Sequence, residues 1–246
     1  MRVAVISDVH ANLPALEAVL AAIDESKVDE AWCLGDVIGY GAEPDACTEL
    51  VRERCAVCLV GNHDLAVLGA LETSAFSEAA AEAVVWTREN IAEGTLDFLR
   101  ELSPTAQRDG IGLFHASPRD PVWEYVLSGE QANACLDVQE ERIALIGHSH
   151  VALFFSRLVD GARDQMRGAQ ANDGALLNLD SGSWLVNPGS VGQPRDGDPR
   201  AAWLELDTDE AAAHFHRVPY DIERTAQSIV DAGLPQRLAD RLHTGQ

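Results

Sequence analysis

Lysine is almost absent: Lys27 stands alone against seventeen arginines, and the 246-residue chain carries a formal net charge of −22. A basic stripe is therefore missing, and with it the means to neutralise the phosphates of a long nucleic acid or an anionic membrane. Aromatic residues make up only 6% of the chain, and no stacking platform for an extended polymer stands out among them. No apolar run approaches the roughly 20 residues that span a bilayer, and the N-terminus lacks the charged region and long apolar core of a signal peptide. The expectation is a cytoplasmic protein that binds neither membranes nor long nucleic acids. Five cysteines, an odd number (Cys33, Cys47, Cys55, Cys58 and Cys135), fit a reducing compartment, and no disulfide is expected. Cys55-x-x-Cys58 has no second CxxC and reads as small apolar residues at a strand start. No Pro/Ser-rich linker, repeat or low-complexity tract divides the chain, so residues 1–246 are read as one domain with a substantial core.

Short apolar runs ending in polar groups are what the chain does have. VAVIS precedes Asp8-Val9-His10, AWCL precedes Gly35-Asp36, VCLV precedes Gly61-Asn62-His63-Asp64, GLF precedes His115, and IALI precedes Gly147-His148-Ser149-His150. Brevity and β-branched or aliphatic content favour buried strands. Between the first three lie helix-period segments. Leu13, Leu16, Leu20 and Ile23 share one face after Asn12 and Pro14, and Pro44 opens a second segment through Leu50. The order is βαβαβ, and in such sheets ligands bind beyond the carboxyl ends of the strands. All five polar tails lie there.

In Asp8-x-His10, alternate residues at a strand end point the same way unless the chain turns, so a carboxylate and an imidazole can grip one ion. Asp36 has two oxygens and can bridge two ions. Asn62 offers a carboxamide oxygen, His115 an imidazole, and His148 with His150 one nitrogen each. The absence of thiolate disfavours structural zinc and suits Mn²⁺, Fe, Zn²⁺ or Ni²⁺, with Mn²⁺ expected first. Two divalent ions about 3.5–4 Å apart can activate a bridging water and stabilise attacking and leaving oxygens in an in-line displacement. Phosphoester hydrolysis is the natural reaction. The chain's acidity does not oppose a small phosphate substrate, because the ions' own charge dominates such a site.

These motifs, in this order, resemble the calcineurin-like metallophosphoesterase superfamily, whose pattern is D-x-H, GD-x-x, GNH-[DE], a later H and GH-x-H. The resemblance runs from Arg2 to about Tyr220. It is strongest to the compact bacterial and archaeal phosphodiesterase branch, through Leu34 to Gly41, His115-Ala116-Ser117-Pro118 and Asn187 to Arg195. It implies an α/β fold: a four-layer αββα sandwich of two mostly mixed β-sheets flanked by helices, with a dinuclear site at one edge. By matching positions, Asp8, His10, Asp36 and His150 would hold the first metal, and Asp36, Asn62, His115 and His148 the second. His63 would face the substrate as general acid or charge stabiliser, with Asp64 orienting its ring. Ala11 and Ala116 replace frequent glycines and Ser149 a frequent threonine. Gly39-Tyr40 stands where Ser/Thr protein phosphatases and symmetric dinucleoside tetraphosphate hydrolases carry Asp-Arg, and Asp64 where they carry Glu.

The reading is thus a phosphodiesterase on a small phosphoester substrate. Dinucleoside polyphosphates and phosphomonoesters remain alternatives, as does a protein-binding scaffold like that of retromer. The scaffold ranks lowest because His63 and every ligand are intact. Arg119 and Arg195 are candidates for the substrate phosphate, since guanidinium matches phosphate bidentately, or they pair with neighbouring acids. Asn12 either reaches substrate or starts the first helix, and Tyr40 either stacks on a base or fills core. His214 and His216 are expected on a partly solvated strand face and His243 in a solvated tail. Ser77 to Asn90 reads as a covering helix, and the polar stretch Asp160 to Gly174 as a surface loop. Ala201 to Leu206 and Ala211 to Val218 read as an antiparallel pair, followed by helices Ile222 to Ala232 and Gln236 to Leu242. An isologous homodimer is the base-rate expectation for any assembly.

Overall fold

A computed structural model of the chain describes residues 1–160 and 163–246. The elements run β1 (Arg2–Ile6), α1 (Leu13–Ser26), β2 (Glu30–Cys33), α2 (Pro44–Arg54), β3 (Val57–Cys58), α3 (Asn62–Val67), α4 (Glu78–Asn90) and α5 (Glu93–Arg100). There follow β4 (Thr105–Arg108), β5 (Ile111–Phe114), α6 (Gly129–Leu136), β6 (Ile143–Ile146), β7 (Ala152–Asp160), β8 (Arg163–Gln170), β9 (Leu176–Asn178) and β10 (Ser183–Pro188). The chain closes with β11 (Ala201–Asp207), β12 (Ala212–Val218), α7 (Ile222–Asp231) and α8 (Gln236–Asp240).

Two mixed six-stranded sheets result, ordered β3-β2-β1-β11-β12-β9 and β4-β5-β6-β10-β7-β8. β1, β2 and β3 are parallel neighbours, as are β5, β6 and β10. The carboxyl ends of these parallel strands carry the polar motifs to one edge. Period-2 alternation divides β1 between two cores: Val3 and Val5 face the other sheet, while Ala4 and Ile6 face helices. The inter-sheet core joins Val3, Val5, Trp32, Leu204 and Phe215 to Leu113, Leu145 and Val186. Outside it, Leu16, Leu20 and Ile23 of α1 cover the first sheet, and Ala132, Cys135 and Leu136 of α6 cover the second. The four-layer αββα arrangement is thus a consequence of two apolar faces per sheet.

Helix boundaries follow local chemistry. The Asn12 side chain accepts from the Ala15 amide at the start of α1, and Ser77 does the same for Ala80 at the start of α4. Gly233, at φ +74°, turns the chain between α7 and α8 ahead of Pro235. α4 packs its alanines Ala79, Ala80 and Ala83 against Ile229, Leu234 and Leu238 of the C-terminal helices.

The polar stretch from Asp160 to Gly174 departs from the expected surface loop. Apart from residues 161–162, which lie outside the described residues, it supplies β8, paired antiparallel with β7 from Leu153↔Gln170 to Asp160↔Arg163. β8 is an edge strand with one hydrogen-bonded neighbour. Such a strand needs little apolar alternation.

Candidate metal centre

The motif residues converge at the sheet edge through sharp turns. β1 ends at Ile6, and Asp8, His10 and Ala11 all take left-handed backbone conformations (φ 55°, 51° and 51°). The chain therefore turns within Asp8-Val9-His10, where strand alternation had been expected to align the two side chains. They converge nonetheless: His10 Nε2 lies 4.0 Å from Asp8 Oδ1. Asp36 (φ 52°), His148 (φ 63°) and His150 (φ 59°) share the left-handed conformation. Each such residue costs of order 1–3 kcal/mol unless its surroundings impose it, and such strain gathers at functional sites.

Two adjoining donor groups share one carboxylate. Asp8, His10, Asp36 and His150 offer ligand atoms within 4.8 Å of one another, and so do Asp36, His115 and His148. Asn62 joins the second group, its Oδ1 lying 3.1 Å from His115 Nε2. All seven side chains are buried.

Backbone groups orient these ligands. Nδ1 of His10 donates to the Ile38 carbonyl (3.2 Å), that of His115 to Leu34 (2.9 Å) and that of His150 to Gln193 (2.7 Å). A carbonyl can only accept, so each Nδ1 bears the proton and each Nε2 turns a lone pair inward. Asp8 Oδ2 accepts from the His148 amide (3.1 Å) and Asp36 Oδ1 from the His63 amide (2.9 Å). Among the described residues, the other oxygens, Asp8 Oδ1 and Asp36 Oδ2, are buried without a hydrogen-bond partner, as is His148 Nε2.

These contacts test the fit of a metal ion. His10 Nε2 and His150 Nε2 face each other at 3.1 Å with no proton between them, and His115 Nε2 meets the Asn62 oxygen at the same distance. Lone pairs pressed together in a buried site repel unless a cation lies among them, and unpartnered buried carboxylate oxygens demand one. The donor set, oxygen and imidazole without thiolate, suits divalent ions.

Burial controls ionisation in the metal-free protein. It pushes His10, His63, His148 and His150 well below the ordinary imidazole range, with the Arg195 charge acting in the same direction. Burial also raises Asp8 to about 7 and Asp36 well above the usual carboxylate range, the latter helped by the charge of Asp64. The imidazoles of His10, His148 and His150 are thereby neutral, the form in which imidazole ligates metals.

The residues match a family model described as the calcineurin-like phosphoesterase superfamily domain over residues 1–209. The chain belongs to that superfamily. Members are phosphoester hydrolases that use divalent metal ions. An uncharacterised protein of Methanocaldococcus jannaschii, MJ0912, is 34% identical over 249 residues, covering 99% of this chain and 98% of its own. A metallophosphoesterase from Sphaerobacter thermophilus is 38% identical, with a TM-score of 0.88 and 100% and 99% of the two chains covered. The hypothetical protein PH1004 of Pyrococcus horikoshii shares the fold, at 20% identity and a TM-score of 0.79 over 100% of this chain and 98% of its own. The family match ends before α7, yet the Sphaerobacter structure covers the C-terminal helices too.

Within this calcineurin-like phosphoesterase, His63 is buried beside both donor groups. Its ring packs against His10 (centroids 4.9 Å apart), Tyr40 (4.3 Å) and Phe76 (5.0 Å), and its Nδ1 has no hydrogen-bond partner among the described residues. The structure corrects the expected role of Asp64. Its carboxylate accepts from the amides of Val37 (3.3 Å), Ile38 (3.0 Å) and Gly61 (2.9 Å), which ties the GNHD turn to the Asp36 loop and leaves the His63 ring to packing. Gly39 provides that packing surface: at φ +90°, its added Cβ would lie 2.7 Å from His63 Nδ1. Gly61 is fixed by closeness to Asp36, whose Oδ1 would lie 2.0 Å from an added Cβ.

The substrate-binding candidates separate. Arg195 Nη2 donates to the Tyr40 hydroxyl (3.2 Å) and Gln193 Oε1 (2.8 Å), and Tyr40 is buried with its ring against His10 (4.7 Å) and His63. The neighbouring Asp196 pairs with Arg217, not with Arg195. Arg119 pairs with Glu124 at 3.3 Å and is 45% exposed. Asn12 is fully engaged: besides capping α1, it donates to the Gly192 carbonyl and accepts from Thr225. The structure displays the helix-start alternative for this side chain. His214 and His216 pair with β11 and β9 neighbours, His216 stacking on Trp203 at 4.2 Å.

The NPGSVGQPR segment contains residues whose roles sequence reasoning left unassigned. Asn187 Nδ2 donates to Gly147 O (2.7 Å) and Ser149 Oγ (3.0 Å), fixing the GHSH turn. Ser190 Oγ donates to the Asp8 carbonyl (2.8 Å). Their place in the Asn187 to Arg195 segment was the available signal, because partners about 40 and 182 residues away are invisible to spacing.

Proposed function

We propose that the protein, folded as one domain, is a metal-dependent phosphodiesterase acting on a small phosphodiester. The carrying observation is the pair of donor groups that share Asp36, with His63 buried beside them and outside both. Asp8, His10, Asp36 and His150 would hold one divalent ion, Mn²⁺ by preference, and Asp36, Asn62, His115 and His148 the other. Bound there, the ions supply Lewis-acid polarisation of the phosphoryl group.

The chain's own residues do the remaining work. The unpartnered His63 ring donates a proton or hydrogen bond to the leaving oxygen, held in place by Gly39, Tyr40 and Phe76. Arg195, anchored through Tyr40 and Gln193, uses its remaining N–H groups on a non-bridging oxygen. Its Nε is buried without a partner among the described residues. A diester carries one negative charge where a monoester carries up to two, and one anchored guanidinium matches the smaller charge. Five free cysteines fit action in a reducing, cytoplasmic compartment.

The test is hydrolysis of a chromogenic phosphodiester and its matching monoester by chelator-stripped protein, with and without Mn²⁺. Cleavage restored by Mn²⁺ and favouring the diester is expected. His63→Ala should retain metal and lose roughly 10²–10⁴-fold in turnover. Monoester preference would overturn the substrate assignment, and unchanged turnover in the variant would remove His63 from the chemistry.

A further inference from the structure

The sequence offers no evident aromatic platform, yet the fold gathers four aromatic side chains around the metal centre. Tyr40 packs on His63, Phe76 on His63 (5.0 Å), Trp123 on Phe76 (5.0 Å), and Tyr125 on His148 at 4.1 Å with planes 30° apart. Three of them fill space: Tyr40 is buried and Phe76 and Trp123 are half-buried. Tyr125 differs. It is 42% exposed although one face of its ring lies on a metal-centre histidine. Isolated exposed apolar residues need no explanation, but a ring presented at the mouth of a reaction centre on a built support does.

The support is the segment between β5 and α6. Ser117 Oγ accepts from the Arg119 (3.1 Å) and Asp120 (3.0 Å) amides and donates to Glu124 Oε2 (2.5 Å). Asp120 Oδ1 accepts from the Val122 and Trp123 amides, both at 3.1 Å, and the Ala116 amide donates to the Pro121 carbonyl. A segment without helix or strand is thus tied in place on both sides of Trp123 and Tyr125. Ordering these rings before substrate arrives removes an entropic cost from binding.

Charge at the same mouth favours an anion joined to that ring. Arg195 is anchored to Tyr40. The C-terminal turn carries Arg241. The turn itself is bound to the Arg195 loop, the Gly197 amide donating to the Gly245 carbonyl at 2.9 Å. Arg195, whose amide donates to the His150 carbonyl (3.0 Å), and the exposed Tyr125, whose ring lies on His148, thus both adjoin the donor cluster.

We propose that Tyr125, braced by His148, is a specificity-determining stacking platform for a planar aromatic group of the substrate, so that the diester is of nucleotide type. The inference rests on the phosphodiesterase reading, and its test separates the two. In Mn²⁺-loaded protein, binding of thymidine 5′-monophosphate is compared with that of methyl phosphate, and cleavage of thymidine 5′-(4-nitrophenyl phosphate) with that of methyl 4-nitrophenyl phosphate. Wild type should favour the nucleoside member of each pair by at least about 10-fold. Tyr125→Ala should reduce that preference by about 5- to 100-fold, the worth of one stacked base, chiefly through KM, while Tyr125→Phe retains it. Cleavage of both esters without nucleoside preference, or Tyr125→Ala lowering both equally, overturns the platform and leaves the diesterase standing. Cleavage of neither ester, with a Tyr125-dependent preference for the nucleotide in binding, overturns the diesterase and supports the platform.

Discussion

His63 is the side chain whose surroundings most constrain the chemistry. It belongs to neither donor group, its Nδ1 is unpartnered, and contact rather than hydrogen bonding sets its ring. Gly39 should therefore act as a positioning residue. Gly39→Ala places a methyl group against Nδ1 at a backbone φ of +90°, and a displacement near 1 Å at a reacting group can cost roughly 10²-fold in rate. Steady-state kinetics with metal analysis should find that loss without loss of metal, and normal turnover would refute the positioning role. The candidate ligands were legible at this scale because an acid or imidazole after an apolar run is conspicuous. Asp64 was not, since its three acceptor contacts go to backbone amides that sequence identity does not encode. Ala11 illustrates the converse, as its replacement of glycine flagged a position that does have positive φ.

Among the elements, the parallel strands were readable and the edges less so. β1, β2, β5 and β6 are buried runs bounded by glycine or polar turns, and β11 with β12 alternates across a short turn. β8 was hidden because an edge strand answers to one neighbour and to solvent, so Arg163 to Gln170 carries no apolar rhythm. The end of β10 shows how an element supports a site that it does not form. Asn187→Ala removes both side-chain bonds to the GHSH turn, and losses of outer contacts of this kind typically cost 10–100-fold in metal affinity, roughly. A calorimetric Mn²⁺ titration should detect weakened binding with secondary structure intact. Unaltered affinity would mean that the turn holds its shape without Asn187.

The whole molecule balances an apolar inter-sheet core against an edge of buried ionisable groups. Phe215, buried between the sheets, should cost about 3–5 kcal/mol when truncated to alanine, read from urea unfolding. A loss below about 1 kcal/mol would show that the sheets close over the gap. Electrostatics add a pH dependence. Burial raises Asp8 to about 7, against an unfolded value of about 3.9. In metal-free protein its stabilising protonation is complete below the unfolded pKa and is lost as pH rises through about 7. Asp36 has the same sign. The buried histidines have the opposite one: below about 6.5 the unfolded chain takes up protons that the folded chain refuses. Divalent ions favour ionised carboxylates, so the rise in melting temperature on adding Mn²⁺ should be larger at pH 8 than at pH 6. An increment equal at both pH values would contradict the linkage.

The shared carboxylate is the central structural claim, and metal stoichiometry tests it most directly. Equilibrium dialysis of chelator-stripped protein against Mn²⁺ should give two ions per chain. It should give one for His10→Ala and one for His148→Ala, which truncate different donor groups, and none for Asp36→Ala, which opens both. A single ion in wild type, or an Asp36→Ala variant that keeps one, would contradict the account.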